Sequence, residues 1–301
     1  HIDHLSGAVS VLMIAMLVLG LGMISAPGRL GSSIVLIVGA LVLITLFLLR
    51  QRRVSDPMYD LRYARRRLFW VPSIAGMIVF GSLMGSMFIG QQFLQNVLQY
   101  STLDAGLAIL PAALGMMGVA PLAAKLMDTR GARTTMLTGF AFILPAFIVM
   151  LVAWKEQTSY VWVGLAYLCI GMGAGLAMAP ASKSLTSSVP VSRVGMASGT
   201  TDLQRDLGGS IMQAILGSLL TAGYAVAFAA QISSSPQAND VSAQTEATLK
   251  QSYSSASNLA ETNPTYSSTI IQSARVSFLD GANWAYTAGV IAVIIGILVV
   301  W

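Results

Sequence analysis

Long apolar runs with almost no charged residues alternate along this chain with short polar stretches that hold nearly all of its lysine and arginine. Each run is close to the roughly 20 residues that a helix needs to cross the bilayer core. The runs are continuous rather than alternating, which favours membrane helices over barrel strands. The pattern predicts eight spans: residues 7–24, 32–49, 71–90, 103–124, 134–154, 160–181, 207–230 and 281–301.

Composition supports the same interpretation. Of the 301 residues, 55% are hydrophobic and 10% are charged, whereas an ordinary soluble domain carries about 25% charged residues. A water-soluble fold of this length has too little interior to bury so much apolar surface. The single cysteine, Cys169, lies within a predicted span, so no internal disulfide is possible.

The basic residues predict the orientation of the chain, because loops rich in lysine and arginine stay in the cytoplasm. Seven arginines fall within residues 50–67, between the second and third spans. Alternation of the spans then places the other basic residues on the same side: Lys125, Arg130, Arg133, Lys183 and Arg193. Residues 155–156 and 231–278 are expected outside.

Three parts follow from this pattern. Residues 1–50 are expected to form a central transmembrane hairpin, closed by residues 26–29. Residues 51–69 form a basic cytoplasmic linker, in which 55–68 is either an interfacial helix with arginines facing lipid headgroups or a solvated linker. Residues 70–301 form a six-helix bundle. Its polar segment 231–278 is expected to be external and mobile, either as a cap with weak helices at 241–259 or as plain disorder.

Several motifs follow one another along the chain. They are residues 92–98, 101–111, 121–133, 171–180, 195–199 and 205–209. Together they resemble the fourteen-span drug:proton antiporter family of the major facilitator superfamily, in an order and spacing that hold from about residue 7 to residue 301. The resemblance implies an all-α integral membrane fold in a bacterial inner membrane, with a C-terminal six-helix bundle preceded by a two-helix hairpin.

The resemblance also implies a partner. The family's N-terminal six-helix half is expected to precede residue 1, because both ends of the chain begin or stop abruptly beside apolar runs. In the family, most residues that couple protons to transport would lie in that half.

The predicted turn between the fourth and fifth spans contains Asp128, Gly131 and Arg133. Gly131 supplies a backbone conformation that other residues resist. Asp128 and Arg133 are able to pair with each other or with helix ends. The turn is therefore either a gate latch, as the resemblance implies, or a static staple.

Glycines mark the helices that we expect to pack closely. Gly171, Gly173 and Gly175 remove side chains from one span, and Pro180 is expected to disturb its cytoplasmic end. Close packing and a flexing gate helix both remain open for this span. Gly195 and Gly199 form a small-xxx-small pair, which predicts a close helix crossing.

Charged residues near membrane depth are confined to the start of the seventh span, where Asp202, Arg205 and Asp206 lie within two turns. Asp202 and Asp206 share a helix face. We consider two roles: proton uptake and release by Asp206 with Asp202, or a structural ion network with Arg205, Lys183 or Arg193.

Uncharged polar and apolar residues supply candidate cavity walls. Gln92 and Gln95 share a face at the outer end of the third span. Methionine and phenylalanine offer adaptable apolar contacts. The candidate substrate-cavity residues are Gln92, Gln95, Met84, Phe88, Met116 and Met178.

The sequence contains no catalytic constellation, metal-ligand motif or phosphate loop, so we expect neither an enzyme nor a cofactor. The favoured function is a proton-coupled secondary exporter of amphipathic or hydrophobic small molecules, of the multidrug efflux type. Alternatives are a lipid transporter of the same fold and a non-transporting membrane scaffold or assembly subunit. A lipid-handling membrane enzyme is disfavoured.

Overall fold

The computed structural model describes residues 4–24 and 29–301, and the proposed hairpin turn at residues 26–28 lies outside these ranges. The described chain is helical, with no strand in these ranges. The helices are α1 His4–Met23, α2 Leu30–Arg53, α3 Leu61–Ala64, α4 Arg67–Asn96, α5 Thr102–Leu107, α6 Leu110–Ala153, α7 Tyr160–Ser187, α8 Val194–Ser233, α9 Ala243–Gln251, α10 Tyr253–Thr262 and α11 Ser267–Val300.

Seven helical stretches in the described ranges are long and apolar enough to cross a membrane, with residues 102–153 forming one of them. That stretch contains two crossings. Gly131 interrupts α6 with φ 86° and ψ 171°, a conformation that is essentially restricted to glycine. Residues 110–130 and 132–153, called here the first and second arms of α6, are each about 32 Å long, which is enough to span the bilayer core.

Contacts with α7 give the directions of the two arms. Along the first arm, Ala112 meets Gly171 and Met116 meets Gly175, so both numbers rise together. Along the second arm, Gly139 approaches Ala177 and Ile143 approaches Gly173, so one number falls as the other rises. The arms therefore run in opposite directions. Counted separately, they bring the seven helical stretches to eight, which is the number of spans expected from the sequence.

The hairpin packs more loosely than the bundle. Only 17% of the most apolar window of α1, and the same share for α2, is buried, against 61% for α4. Ser33 donates a hydrogen bond to the Gly20 carbonyl oxygen at 2.5 Å and joins the two helices. Most of the hairpin surface is thus available to lipid or to other helices.

The predicted interfacial helix over residues 55–68 is wrong in extent. Only the four-residue α3 is helical between α2 and α4, and Asp60 caps it by accepting a hydrogen bond from the Arg62 amide. Pro57 has no amide hydrogen to donate to a preceding helical turn, and Asp60 is held against the start of α8 by an ion pair described below. The basic side chains of Arg65, Arg66 and Arg67 are exposed.

Two other predicted boundaries shift. The span expected at 103–124 is divided into α5 and the first arm of α6, with Pro111 in the first turn of that arm. The helix expected from Leu207 begins at Val194, so Asp202, Arg205 and Asp206 lie well inside α8. α7 continues through Pro180 to Ser187, so the proline does not end the helix.

The polar segment at residues 231–278 is folded rather than structureless. It contains α9 and α10, which match the weak helices expected at 241–259 apart from a break at Ser252. Leu249 of α9 and Ala256 and Ala260 of α10 are buried. Tyr253 packs edge-on against Phe278 of α11, so the segment packs on one end of the bundle.

Candidate functional site

The seam around α7 is built from alternating glycines. A side chain on Gly171 or Gly175 would meet the first arm of α6 at Ala112 or Met116. A side chain on Gly173 would instead meet Ile143 and the Gly139 carbonyl of the second arm. Residues two apart lie on nearly opposite faces of a helix, so α7 is wedged between two antiparallel arms. Close packing, one of the two expected roles of these glycines, is confirmed.

A second seam joins α4 to α8 in parallel. A Cβ atom on Gly81 would lie 2.7 Å from the Gly208 carbonyl oxygen, and further along Gly85 faces Leu216. Gln204 fills the space left by Gly76, and its amide nitrogen donates to the carbonyl oxygen of Pro72 at 2.7 Å. This buried glutamine was missed from the sequence; its spacing of four from Gly208 was the available signal.

The six predicted cavity residues fall into separate places. Met84 and Phe88 lie one turn apart on α4 and are 37% and 38% exposed. Gln92 is half-buried and Gln95 is exposed near the outer end of the same helix. Met116 and Met178 are half-buried on the first arm of α6 and on α7. None of the six lines the cavities described below.

Asp202 and Asp206 are exposed and line one cavity of about 710 Å³ between α8 and the hairpin. Arg205 points elsewhere, with its guanidinium 5.5 Å from the centre of the Phe80 ring on α4. Within the described residues no ion pair joins either carboxylate to Arg205, Lys183 or Arg193. The expected structural ion network at Asp206 is therefore wrong.

Gly195 and Gly199 face the same cavity. A Cβ atom built on either would find no atom of the described chain within 4 Å. The predicted close crossing at this pair is wrong, because the missing side chains leave open space here instead of admitting a neighbouring backbone.

The turn after the first arm of α6 has a different geometry from the one expected. The Arg133 guanidinium donates to the Trp301 carbonyl oxygen at 2.7 Å and lies over its ring. Asp128 lines a cavity of about 270 Å³ together with Lys183 and Gly175. Asp128 and Arg133 do not pair with each other in the part of the chain that the structure describes.

An ion network that the sequence did not reveal joins the linker to the start of α8. Arg193 lies 3.2 Å from an Asp56 oxygen and 3.4 Å from an Asp60 oxygen, and donates to the Pro57 carbonyl at 2.6 Å. The Asp60 side chain is 2% exposed. Hydrogen bonds from Arg62, with a smaller contribution from the charge of Arg193, hold the pKa of the Asp60 carboxyl below its usual value.

Neutral hydrogen bonds extend this connection into the hairpin. The Gln51 side chain donates to Ser6 of α1 at 2.9 Å and accepts from the Tyr59 amide at 3.0 Å. The Tyr59 hydroxyl hydrogen-bonds with Thr200 of α8 at 3.2 Å, and burial raises the pKa of Tyr59. The hairpin, linker and bundle are thus joined at the end that carries the arginines.

No cluster suited to metal binding lies within residues 4–24 and 29–301, where no group of three or more His, Cys, Asp or Glu side chains is close enough to hold an ion. The described residues bring together apolar walls, glycine-lined seams and two carboxylates beside a cavity.

Comparison with known proteins gives one family and several relatives. The family model described as Major Facilitator Superfamily matches residues 4–213. The chain is 35% identical over 190 residues to the multidrug resistance protein Stp of Mycobacterium tuberculosis, a match that covers 63% of this chain and 35% of that protein. It is 28% identical over 179 residues to the multidrug efflux pump LfrA of Mycolicibacterium smegmatis, which covers 60% of this chain and 35% of LfrA.

A third relative is the drug efflux pump JefA of Mycobacterium tuberculosis, which is 30% identical over 187 residues, covering 62% of this chain and 36% of JefA. The matched region is thus about a third of the length of each of these relatives.

Proposed function

The chain belongs to the Major Facilitator Superfamily, in the bacterial inner membrane, and we propose that its protein is a proton-coupled exporter of amphipathic or hydrophobic small molecules. The observation that carries this proposal is the match of the hairpin and most of the bundle to a transporter family with relatives that are named as a multidrug resistance protein and as drug efflux pumps. Export of drug-like cargo by this protein is our inference from them.

The exposed face of α4 supports an apolar cargo. Met84 and Phe88 present a flexible thioether and an aromatic ring on one helix face, and such side chains adapt to molecules of different shape. Gln92 and Gln95 supply uncharged hydrogen-bonding groups one and two turns further out. Met116 on the first arm of α6 and Met178 on α7 are proposed as separate cargo contacts.

The seams support movement of the bundle as a unit during alternating access. Backbones touch at Gly171, Gly173 and Gly175 and again at Gly81 and Gly208, and contacts this close resist sliding within the bundle. We assign the larger movement to rocking against a second six-helix half of the same protein. The greater length of the relatives supports such a half.

Gating is assigned to the cytoplasmic ends of the helices. Gly131 reverses the chain, Arg133 holds the end of α11, and Asp128 shares a cavity with Lys183 beside Gly175. Pro180 directly follows Ala179, which lines that cavity. The Arg205 guanidinium lies over the Phe80 ring and anchors α8 to α4. The exposed arginines at residues 62–67 are assigned to anionic lipid headgroups.

Proton coupling is assigned to Asp206, with Asp202 as its neighbour. Both side chains are exposed to one cavity near the arginine-rich end of the chain, so protons reach them without crossing the packed core. The two carboxylates are one helical turn apart on α8.

The test is ethidium efflux from bacterial cells that express the full-length gene, with and without a protonophore. We expect efflux that stops when the proton gradient collapses. Efflux that persists without a gradient would overturn proton coupling, and no efflux of any of a panel of amphipathic dyes would overturn export. Asp206→Asn is expected to lose gradient-driven efflux at least tenfold, and Asp280→Asn on α11 is the matched control.

A further inference from the structure

Four aromatic rings from four helical segments meet at the end of the bundle away from the arginines. Trp154, which follows the second arm of α6, stacks on Phe93 of α4 with the ring centroids 4.9 Å apart. Tyr167 of α7 and Tyr286 of α11 both contact the Trp154 indole edge-on, with centroid distances of 5.9 and 5.8 Å. Because α4 begins at Arg67 and Phe93 lies near its other end, this cluster is remote from the linker.

The two tyrosine hydroxyls of the cluster are buried without a partner in the described part of the chain. Tyr167 is 0% exposed and Tyr286 is 1% exposed, and neither hydroxyl oxygen makes a hydrogen bond to a described residue. The Tyr167 hydroxyl lies directly against Gly90 of α4, in the space that a side chain at that position would occupy. A buried hydroxyl that lacks a partner costs free energy, and native proteins rarely leave one in that condition.

A third polar group lies beside these hydroxyls. The Gln91 side chain of α4 is next to the Tyr167 hydroxyl but outside hydrogen-bonding geometry. Its amide nitrogen donates to the Ala105 carbonyl oxygen at 2.9 Å, so its amide oxygen is the atom that can accept. The Tyr286 side chain is close enough to Tyr167 to interact with it electrostatically. Two hydroxyl donors and one amide acceptor therefore converge between α4, α7 and α11.

We propose that a single buried water molecule binds here, accepts hydrogen bonds from both tyrosine hydroxyls and donates one to the Gln91 amide oxygen. About three hydrogen bonds are typical of a buried water. A direct hydrogen bond between the two hydroxyls would leave one of the donors unpaired, whereas the water satisfies all three groups. The three side chains are neutral, which fits an uncharged occupant. The water joins α4, α7 and α11 at the end of the bundle opposite the linker.

The first test is thermal unfolding of the full-length protein in detergent, with Tyr167→Phe, Tyr286→Phe and the double variant. Removing a hydroxyl that has no partner would leave the midpoint unchanged or raise it. We expect each single variant instead to lower the midpoint by about 2 °C, because the water then loses one of its partners. We expect the double variant to lose less than the sum of the two, since the hydroxyls share one water. Tyr266→Phe is the matched control, because Tyr266 is 42% exposed, and its midpoint is expected to equal that of the parent protein.

The second test detects the water itself by X-ray radiolysis of the folded full-length protein followed by mass spectrometry. Radicals formed from a bound water modify the side chains next to it, even where these are buried. We expect modification of Tyr167, Tyr286 or both. Phe140 and Phe147, which are also 0% exposed within the bundle, are the matched controls and are expected to stay unmodified.

Midpoints that stay the same or rise in the single variants would overturn the proposal, as would strictly additive losses in the double variant. Lower midpoints without modification of either tyrosine would overturn it as well, because the hydroxyls would then bond directly to each other or to Gln91. Modification no faster than that of Phe140 and Phe147 has the same meaning. Neither measurement depends on transport, so the result is independent of the proposed export function.

Discussion

The guanidinium of Arg193, at the start of α8, lies 3.4 Å from a carboxylate oxygen of Asp60, whose side chain is only 2% exposed. The two residues are separated by most of the bundle in sequence, and their contact fixes the linker from the hairpin against α8. The Asp60 amide adds a contact to the Met196 sulfur at 3.2 Å. This pairing makes the linker part of the folded bundle rather than a tether.

Removing the buried carboxylate is expected to destabilise the protein. Among the described residues, Asp60→Ala leaves the Arg193 charge with only the exposed Asp56 as an ion-pair partner, and breaking a buried pair costs about 3 kcal/mol. The measurement is the unfolding free energy or thermal midpoint in detergent. Asp56→Ala is the matched control, expected to cost less than about 1 kcal/mol because its side chain is 66% exposed; equal losses in the two variants would contradict the prediction.

The same carboxylate predicts a dependence of stability on pH. The folded protein holds the Asp60 pKa below the ordinary value of 3.8, so the unfolded chain binds the proton more readily. The contribution of Asp60 is therefore complete at neutral pH and is lost as pH falls through the folded pKa. We expect the gap in thermal midpoint between the parent protein and Asp60→Asn to narrow from neutral pH to about pH 3. A gap that stays constant would show that the ionised carboxylate is not its source.

The backbone at Gly131 predicts a second stability effect. With φ 86° and ψ 171°, an alanine there is strained, and a cost of about 1–3 kcal/mol is expected. Gly118→Ala is the control, because Gly118 lies within the helical first arm with nothing within 4 Å of a Cβ, and alanine favours a helix by about 1 kcal/mol. In thermal unfolding in detergent, we expect a lower midpoint for Gly131→Ala and a higher midpoint for Gly118→Ala, each relative to the parent protein. Equal midpoints in the two variants would contradict a strained backbone at Gly131.

The α7 seam predicts that an added methyl group separates the helices. In Gly171→Ala the new Cβ would collide with the backbone of Ala112, and overpacking of this kind costs about 1–3 kcal/mol. Gly164→Ala on the same helix is the control, because its nearest neighbour is the Tyr160 ring at an ordinary 3.4 Å. Stability in detergent and dye efflux are expected to fall in Gly171→Ala and to stay unchanged in Gly164→Ala. Equal losses in the two variants would show that helix packing at Gly171 is no tighter than at Gly164.

The eight spans and the superfamily followed from the sequence, because both depend on long apolar runs and on motifs that lie within single helices. Gly131 was predicted for the same reason: its need for a positive φ is local. The pairing of Arg193 with Asp60 could not be predicted, since each residue stands in a polar stretch where a solvated charge is the ordinary expectation. Only the fold brings the two stretches together.

Two wrong predictions have a common cause. The helix expected at 55–68 and the close crossing expected at Gly195 and Gly199 were both inferred from local patterns whose outcome depends on a distant neighbour. Asp60 pairs with Arg193 instead of continuing a helix, and the two glycines are separated from the hairpin by a cavity. The candidate cavity walls on α4, α6 and α7 stay predictions, because the structure places them on exposed or half-buried faces that line none of the cavities described above.

The alternation of glycines on α7 sets a limit on how this part of the chain tolerates insertions and deletions. One residue added between Gly171 and Gly175 would turn the rest of the helix by about 100°. Gly175 would leave the first arm of α6, and a bulkier residue would take its place against Met116. Length in this stretch is therefore constrained as strictly as residue type.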